Sequence, residues 1–214
     1  MIHWSDKLKS FGQSEKSNFR NWRWSWRAIR FILSEVKKIA VFGSGTGSNF
    51  AALHEAFGPR IILVVSDHED AGIIVKAKSL GIRTVFEKGG RDLCERIISH
   101  LEGIDLICLA GFMRLVKEPL LGSFPHRILN IHPSLLPEYP GLFAWEQAVE
   151  DGATESGCTV HYVDEGMDTG KVILQAKVPV LPGDTAGTLH ARIQIEEHRI
   201  YPEAVRLVLA SLEG

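Results

Sequence analysis

Apolar positions fall into short runs that alternate with helical segments from residue 37 onward. Uninterrupted apolar runs are typical of strands that are covered on both faces. Such runs predict strands at 38–42, 60–65, 84–86, 104–110 and 127–131. The segments between them predict helices at 50–57, 71–80, 91–101 and 116–122. Strands that alternate with helices in this way form right-handed βαβ units and a parallel sheet.

The pattern changes after residue 155. Residues 158–163 alternate between apolar and polar, as a half-exposed strand does, and an apolar run follows at 171–180. A short polar loop joins these two segments, which predicts an antiparallel pair at the edge of the sheet. Residues 185–212 predict one long helix, capped by Asp184 or Thr185 and bent near Pro202. We therefore predict an α/β fold: a Rossmann-like open sheet, parallel in its N-terminal half, with antiparallel strands in its C-terminal half and a long C-terminal helix.

The composition is that of an ordinary globular protein. Of 214 residues, 45% are hydrophobic and 23% charged, and the net charge is -2. We expect small-molecule substrates, no nucleic acid or membrane as partner, and a monomer or homodimer. No run of about 18 apolar residues predicts a transmembrane helix. Three widely spaced cysteines, Cys94, Cys108 and Cys158, indicate buried, reduced thiols in a cytoplasmic protein.

The N-terminal segment differs from the rest of the chain. Residues 1–38 hold nine Lys or Arg against three acidic residues, and four of the five tryptophans. The segment lacks the small-residue cleavage site of a secretory signal. Two interpretations remain open: a basic, aromatic arm that contacts RNA, a membrane surface or a partner subunit, or a loosely ordered extension. We assign residues 1–36 to this extension and residues 37–214 to a single domain.

A glycine-rich loop, residues 43–49, joins the first predicted strand to the first helix. At such a junction the backbone N–H groups and the helix dipole favour an anion, usually a phosphate. The lysine of a P-loop is absent, and Ser48 stands where the dinucleotide-binding fingerprint has its third glycine. Gly47, Ser48 and Asn49 instead offer donors suited to a terminal phosphate monoester. A tight turn that binds no ligand is the alternative interpretation.

Asn130 and His132 lie two positions apart at the carboxyl end of the fifth predicted strand, so their side chains point to the same side. Ligands of open α/β sheets bind at this end of the strands. An amide beside an imidazole can polarise a carbonyl group and move a proton. Asp168 lies in the turn between the two late strands, where a carboxylate near His132 would raise the pKa of the imidazole. The alternatives are a structural histidine and a solvated turn carboxylate.

Four motifs occur together in the order and spacing of a known family. They are Gly47-Ser-Asn49, Ala110-Gly-Phe-Met-Arg-Leu115, Leu129-Asn-Ile-His-Pro-Ser-Leu-Leu-Pro137 and the turn that contains Asp168. From about Lys37 to its C-terminus the chain resembles the phosphoribosylglycinamide formyltransferase family of folate-dependent enzymes. The resemblance implies the formyltransferase fold. It also implies transfer of a formyl group from the co-substrate 10-formyltetrahydrofolate to the amine of 5-phosphoribosylglycinamide in purine (IMP) biosynthesis.

The resemblance also implies roles for individual residues. Asn130, His132 and Asp168 match the family's catalytic trio. The phosphate and ribose of the ribonucleotide would bind Gly47, Ser48, Asn49 and Glu197. The folate would contact Arg91, Met113, Arg114, Leu115, Val116, Asn130 and the turn from Asp164 to Asp168. Taken singly, Met113 and Leu115 could be core residues, Arg91 a surface residue and Glu197 a solvated helix carboxylate.

The implied mechanism uses the trio directly. Asn130 and protonated His132 would stabilise the oxyanion that develops on the formyl group, and protons would pass through His132 or a water held by Asp168. We expect no metal, because the sequence has no ligand cluster. The family often has a histidine where Trp145 stands, and sometimes a polar residue at Phe143. These two aromatic residues could alter rate or substrate fit, or form a wall of the cleft.

Other 10-formyltetrahydrofolate enzymes, a deformylase or another formyltransferase, are the nearest alternatives. The deformylase typically has a preceding regulatory domain and methionyl-tRNA formyltransferase a C-terminal RNA-binding domain, and we expect neither here. A more distant alternative is a nicotinamide-dependent oxidoreductase with Asp67 as the ribose-binding acid, although Ser48 at the third glycine position argues against it. A non-catalytic nucleotide-binding module is a further alternative.

Overall fold

The computed structural model describes residues 36–213, so the basic, tryptophan-rich extension lies outside the described residues except for Val36. Within that range seven strands form one sheet: β1 Ile39–Phe42, β2 Ile61–Ser66, β3 Arg83–Phe86, β4 Leu106–Leu109, β5 Ile128–His132, β6 Glu155–Tyr162 and β7 Val172–Pro179. The helices are α1 Ser48–Phe57, α2 Gly72–Ser79, α3 Leu93–Ile98, α4 Leu120–Ser123, α5 Ala144–Glu150 and α6 Ala186–Glu213, with a 3₁₀ turn at Gly58–Arg60.

The strand order is β3-β2-β1-β4-β5-β6-β7. Strands β1 to β5 pair in parallel, whereas β6 pairs antiparallel with both β5 and β7. This arrangement confirms the predicted fold. The chain runs outward from β1 to β3 and then returns to the other side of β1 with β4. In such sheets the crevice outside the carboxyl ends of the strands at this reversal is where ligands bind.

The inner strands β1, β2, β4 and β5 are mostly apolar because the sheet has a core on each face, whereas the edge strand β3 is partly exposed. In β1, Ile39 and Val41 join the core beneath α1, α2 and α6, whereas Ala40 and Phe42 join the core beneath α3 and α4. On a strand that is covered on both sides, a polar side chain needs a buried hydrogen-bond partner. The three cysteines are free and buried, as predicted.

The prediction that the first late strand is half-exposed was wrong. Strand β6 begins at Glu155 and lies between β5 and β7, and its interior residues are buried on both faces of the sheet. Cys158 and Val160 pack in the core beneath α6, while Thr159 and His161 are buried on the opposite face. The alternation in the sequence therefore separates an apolar buried face from a polar buried face.

The helices also depart from the prediction in places. The helix predicted from Val116 begins only at Leu120, after Pro119. A proline disfavours helical backbone geometry in the residue that precedes it. Helix α5 was not predicted. Helix α6 agrees with the prediction, and Thr185 caps it by accepting a hydrogen bond from the Thr188 N–H at 3.2 Å. In the described part of the chain, no helix has the length and hydropathy needed to cross a membrane.

Candidate active site

The structure brings Asn130, His132 and Asp168 together at the carboxyl end of β5. Asp168 Oδ2 lies 3.4 Å from His132 Nδ1, and its Oδ1 accepts a hydrogen bond from Asn130 Nδ2 at 3.4 Å. Asp168 adopts a left-handed backbone conformation, with φ of 56°. The N–H of Gly141 donates to Asp168 Oδ2 at 2.8 Å and fixes the carboxylate from the other side. The alternative of a solvated turn residue is therefore wrong for Asp168.

The ring orientation of His132 is set by the proline-rich loop that follows it. His132 Nε2 lies 2.8 Å from the Tyr139 carbonyl oxygen, which can only accept, so Nε2 carries a proton. Nδ1 is then the nitrogen that faces Asp168 and can take up or release a proton. The loop itself is tied to β6, because Thr159 Oγ1 donates to the Ser134 carbonyl at 2.7 Å and accepts from the Leu136 N–H at 3.0 Å.

The pKa of His132 moves in the opposite direction to the one predicted. Burial lowers this pKa below its usual 6.5, and this effect exceeds the opposing effect of the Asp168 carboxylate. Burial alone would raise the pKa of Asp168, but its contacts with His161 and His132 and the hydrogen bond from the Gly141 N–H together hold it below its usual 3.8. At neutral pH the pair is therefore a carboxylate beside a neutral imidazole.

His161 belongs to the same cluster and was missed in the sequence. Antiparallel pairing places it directly opposite Asn130, and its ring is buried. His161 Nδ1 donates to the Tyr162 carbonyl at 2.8 Å, and Nε2 lies 3.2 Å from Asn130 Nδ2 and 3.5 Å from Asp168 Oδ1. The alternation of β6 was visible in the sequence, but only the register of β5 and β6 assigns His161 to the site.

The glycine-rich loop turns sharply into α1. Gly47 has φ of 75°, and a Cβ added to it would lie 2.8 Å from Ile73 Cα, so this position requires glycine. Two residues later, Asn49 Nδ2 donates to Glu197 Oε2 at 2.8 Å. Glu197 is only 4% exposed, and burial raises its pKa, partly offset by Asn49. The interpretation of Glu197 as a solvated helix carboxylate is therefore wrong.

Two polar atoms near this loop are buried without a hydrogen-bond partner among the described residues. They are Asn49 Oδ1 and His198 Nε2. Lys76 donates to the Gly47 carbonyl at 3.3 Å, and its charge adds to burial in lowering the pKa of His198. Neither Lys76 nor His198 was predicted, because the contacts that bring α2 and α6 to this loop leave no local signal in the sequence.

The residues predicted to contact folate lie on a loop after β4 and at a nearby groove. Met113 and Leu115 are 57% and 54% exposed, so the interpretation of both as core residues is wrong, whereas the Val116 side chain is buried. Arg114 lines a groove of about 740 Å³ together with Asp67, His68, Glu69, Phe86, Lys88, Gly89 and Gly90. Arg91 follows Gly90 and is exposed.

The turn after β6 is held by its own contacts. Asp164 Oδ1 accepts hydrogen bonds from the Gly166 N–H at 3.1 Å and from Thr169 Oγ1 at 2.7 Å. These contacts shape the turn that carries Asp168 into the site. In the described part of the chain, no group of three or more His, Cys, Asp or Glu side chains is placed to hold a metal ion.

Comparison with known proteins decides the family. A family model described as Formyl transferase matches residues 37–205. The chain belongs to the formyl transferase family. Phosphoribosylglycinamide formyltransferase of Bacillus subtilis (strain 168) is 39% identical over 191 residues, covering 81% of this chain and 95% of that protein. The crystal structure of glycinamide ribonucleotide transformylase 1 from Symbiobacterium toebii is 45% identical with a TM-score of 0.80, covering 83% of this chain and 89% of that one.

A longer relative also aligns with this formyl transferase. Trifunctional purine biosynthetic protein adenosine-3 of Drosophila pseudoobscura pseudoobscura is 42% identical over 196 residues, which cover 85% of this chain. The chain spans only 14% of the length of that relative.

Phe143 and Trp145, the two aromatic residues singled out in the sequence, differ in their surroundings. Trp145 is half-buried and stacks on His190, with ring centroids 3.9 Å apart and planes 3° apart. Phe143 is 55% exposed, and its ring meets Trp145 edge-on at 6.3 Å. Trp145 packs against the core beneath α6, so its stacking on His190 anchors the start of α5 to that helix.

Proposed function

We propose that this chain transfers the formyl group of 10-formyltetrahydrofolate to the amine of 5-phosphoribosylglycinamide, a step of de novo purine biosynthesis. The observation that carries the proposal is the Asp168 carboxylate, which contacts both His132 and Asn130 at the end of β5. The names of the Bacillus subtilis and Drosophila relatives support the choice of acceptor and pathway.

In this proposal the ribonucleotide binds on the glycine-loop side of the site. The N–H groups of Gly47, Ser48 and Asn49 would hold the phosphate at the start of α1. Glu197 and Asn49 would hold the ribose hydroxyls. Two observations support this assignment. Glu197 is a buried carboxyl with a single side-chain hydrogen-bond partner among residues 36–213, and Asn49 Oδ1 is a buried acceptor whose hydrogen bond a hydroxyl can supply.

The folate co-substrate is proposed to bind along the loop after β4. Met113 and Leu115 offer exposed apolar side chains for its rings, while backbone groups of Met113 to Val116 would bind the pterin edge. Arg91 and Arg114 lie at or beside the groove and would attract the negatively charged tail of the co-substrate. The turn from Asp164 to Asp168 would close the folate subsite beside Asn130.

The proposed chemistry follows from the protonation states of the trio. The ribonucleotide amine attacks the formyl carbon, and the Asn130 amide stabilises the oxygen as negative charge develops on it. Asn130 Nδ2 donates its two hydrogens within the protein, to His161 Nε2 at 3.2 Å and to Asp168 Oδ1 at 3.4 Å. Substrate binding would exchange one of these long hydrogen bonds for a bond to the formyl oxygen. Neutral His132 takes the amine proton at Nδ1, where Asp168 stabilises the resulting cation. The same proton then passes to the departing folate nitrogen, directly or through a water held by Asp168.

We further propose a cytoplasmic protein that acts on small molecules as a monomer or homodimer and uses no metal. Reduced thiols fit this compartment. Burial raises the pKa of the Cys108 thiol to about 12, and burial likewise raises that of Cys158 to about 12. Both thiols therefore stay protonated and unreactive at neutral pH.

The decisive experiment is an assay of the full chain with 10-formyltetrahydrofolate in the presence and absence of 5-phosphoribosylglycinamide. We expect formyl transfer that requires the ribonucleotide. Release of formate at the same rate without it would identify a deformylase. Formylation of methionyl-tRNA in place of the ribonucleotide would identify another formyltransferase. No turnover with either acceptor, despite binding of both ligands, would identify a non-catalytic module.

The structure argues against the nicotinamide-dependent alternative through Asp67. The side chain of this residue is fully buried, and its carboxylate accepts hydrogen bonds from Ser44 and Arg114. A ribose-binding acid must present free oxygens to the cofactor hydroxyls. Asp67 is therefore committed to contacts within the protein.

A further inference from the structure

Asp67 joins two loops that belong to different subsites. It follows β2 directly, and its carboxylate lies between the glycine-rich loop and the loop after β4. Asp67 Oδ1 accepts a hydrogen bond from Ser44 Oγ at 2.5 Å, and Oδ2 accepts one from Arg114 Nε at 2.6 Å. Among the described residues, His68 Nε2 also lies beside the carboxylate, 3.5 Å from Oδ2.

Ser44 connects the Asp67 carboxylate to the backbone of the loop after β4. A hydroxyl has one hydrogen, and Ser44 donates it to Asp67, which leaves the oxygen lone pairs as acceptors. The Met113 N–H donates to Ser44 Oγ at 2.8 Å. The Ser44 N–H in turn donates to the Gly111 carbonyl at 2.9 Å. Residues 111–113 are therefore fixed at both ends to Ser44: at Gly111 through the Ser44 backbone N–H, and at Met113 through the hydroxyl whose orientation the carboxylate sets.

The second oxygen of Asp67 fixes the next side chain. Arg114 is held against the backbone of Gly89, where an added Cβ would lie 2.9 Å from Arg114 Cζ. The guanidinium thus lies between Asp67 and Gly89 at the groove, although 46% of its side chain is exposed. An exposed arginine without a buried partner would sample many rotamers, so Asp67 reduces the entropy that Arg114 loses on binding a ligand.

We infer that Asp67 is a positioning residue for the folate co-substrate, which acts through Ser44 on the Met113 backbone and directly on Arg114. The inference rests on the proposed function, because that proposal assigns residues 113–116 to the folate. It predicts that loss of the carboxylate weakens folate binding and leaves ribonucleotide binding unchanged, although Ser44 belongs to the glycine-rich loop.

The test compares Asp67→Asn, Ser44→Ala and the double variant with wild type. Asp70→Asn, at an exposed position three residues after Asp67, is the control. We measure KM for both substrates and titrate each variant with tetrahydrofolate by calorimetry.

Asp67→Asn should raise the folate KM and the tetrahydrofolate Kd about tenfold, the effect of losing one hydrogen bond to a charged group. Ser44→Ala should raise them about threefold, and the double variant should resemble Asp67→Asn because the two residues act in one chain of contacts. The ribonucleotide KM should stay within about twofold.

An unchanged tetrahydrofolate Kd in Asp67→Asn would overturn the inference, and so would a parallel rise in both KM values. Ser44→Ala removes a single oxygen from a half-buried site, so it gives an answer even if Asp67→Asn fails to fold. Failure of the proposed function is a separate result: wild type would transfer no formyl group. The tetrahydrofolate titration then still decides whether Asp67 positions a folate site.

Discussion

The β5–β6 side and the glycine-loop side of the candidate site differ in how their buried polar groups are satisfied. On the β5–β6 side, Asn130, His132, His161 and Asp168 contact one another. On the glycine-loop side, Glu197 contacts Asn49, but Asn49 Oδ1 is buried with no partner among the described residues. One side is a closed network, and the other has unused hydrogen-bonding capacity.

This difference indicates that the β5–β6 side serves the chemical step and the glycine-loop side serves substrate binding. A network that is complete before substrate binds holds its charges and protons in place, which is what proton transfer and oxyanion stabilisation require. Burial of a polar atom without a partner costs free energy, and a ligand that supplies the missing hydrogen bond recovers that cost. Changes on the β5–β6 side should therefore lower kcat, and changes on the glycine-loop side should raise the ribonucleotide KM.

The largest effect is expected from His132→Ala. Loss of the proton carrier should lower kcat about 10³-fold, within the usual range for general acid–base catalysis, while the fold is retained. Asp168→Asn should have a comparable effect. Steady-state kcat at saturating substrate and circular dichroism are the measurements. His126→Asn is the matched control, since His126 is exposed and its φ of 56° suits asparagine. Near-wild-type rates in both site variants would remove these residues from the mechanism.

Glu197→Ala should mainly change the ribonucleotide KM, whereas His132→Ala mainly changes kcat. We expect the ribonucleotide KM to rise about 10- to 100-fold, because hydrogen bonds to a buried carboxyl group are lost, and kcat to change far less. Glu197→Gln keeps the acceptor for Asn49 Nδ2 and should fall between wild type and the alanine variant. Glu203→Ala, an exposed position on the same helix, serves as the control. A fall in kcat at constant KM would contradict the proposed division.

His161→Ala tests whether the closed network depends on the contacts that the His161 ring makes with Asn130 and Asp168. Asn130 and Asp168 would each lose a neighbour, and kcat should fall about tenfold, the effect of leaving a buried hydrogen-bonding group unsatisfied. His161→Gln places an amide near the position of Nε2 and should restore most of the rate. If glutamine is as slow as alanine while both variants unfold at the wild-type temperature, His161 does not act through hydrogen bonding.

A smaller effect is expected on the pKa of His132 when its neighbour Asp168 is changed. Its pKa, followed by NMR, should lie below 6.5 in the wild type and fall further in Asp168→Asn, because the carboxylate raises it. The lowered pKa in the folded state decides how the free energy of unfolding changes with pH. The unfolded chain binds the proton more readily, so His132 destabilises the fold as pH falls through 6.5. A measured pKa above 6.5 would instead support protonated His132 as the resting form.

The smallest effect is expected from Trp145→His, which lies outside both networks. Loss of part of the stacking on His190 should lower the free energy of unfolding by about 1 kcal/mol, the usual contribution of an aromatic pair. Both KM values should stay within about twofold of wild type. Trp145→Phe, which keeps a flat apolar ring, is the matched control. A change in ribonucleotide KM confined to the histidine variant would make Trp145 a specificity residue.

The pattern of apolar runs predicted much of the secondary structure of this molecule. The buried strands β1, β2, β4 and β5 and the long helix α6 follow from local periodicity, because a strand covered on both faces needs a nearly uninterrupted apolar run. The pattern failed at β6, where a polar buried face and solvent exposure give the same alternation. It also failed at α5, which follows a loop rich in proline and glycine.

The sequence by itself determined the parallel sheet, the glycine-rich turn and the positions of Asn130 and His132 at a strand end, since these depend on neighbouring residues in the chain. The tertiary structure alone decided that His161 stands opposite Asn130, that Asp67 binds Ser44 and Arg114, and that Glu197 is buried against Asn49. It also decided the direction of the His132 pKa, because desolvation depends on how much of the fold surrounds the ring. Register, burial and contacts between distant segments are set by packing, and no local pattern encodes them.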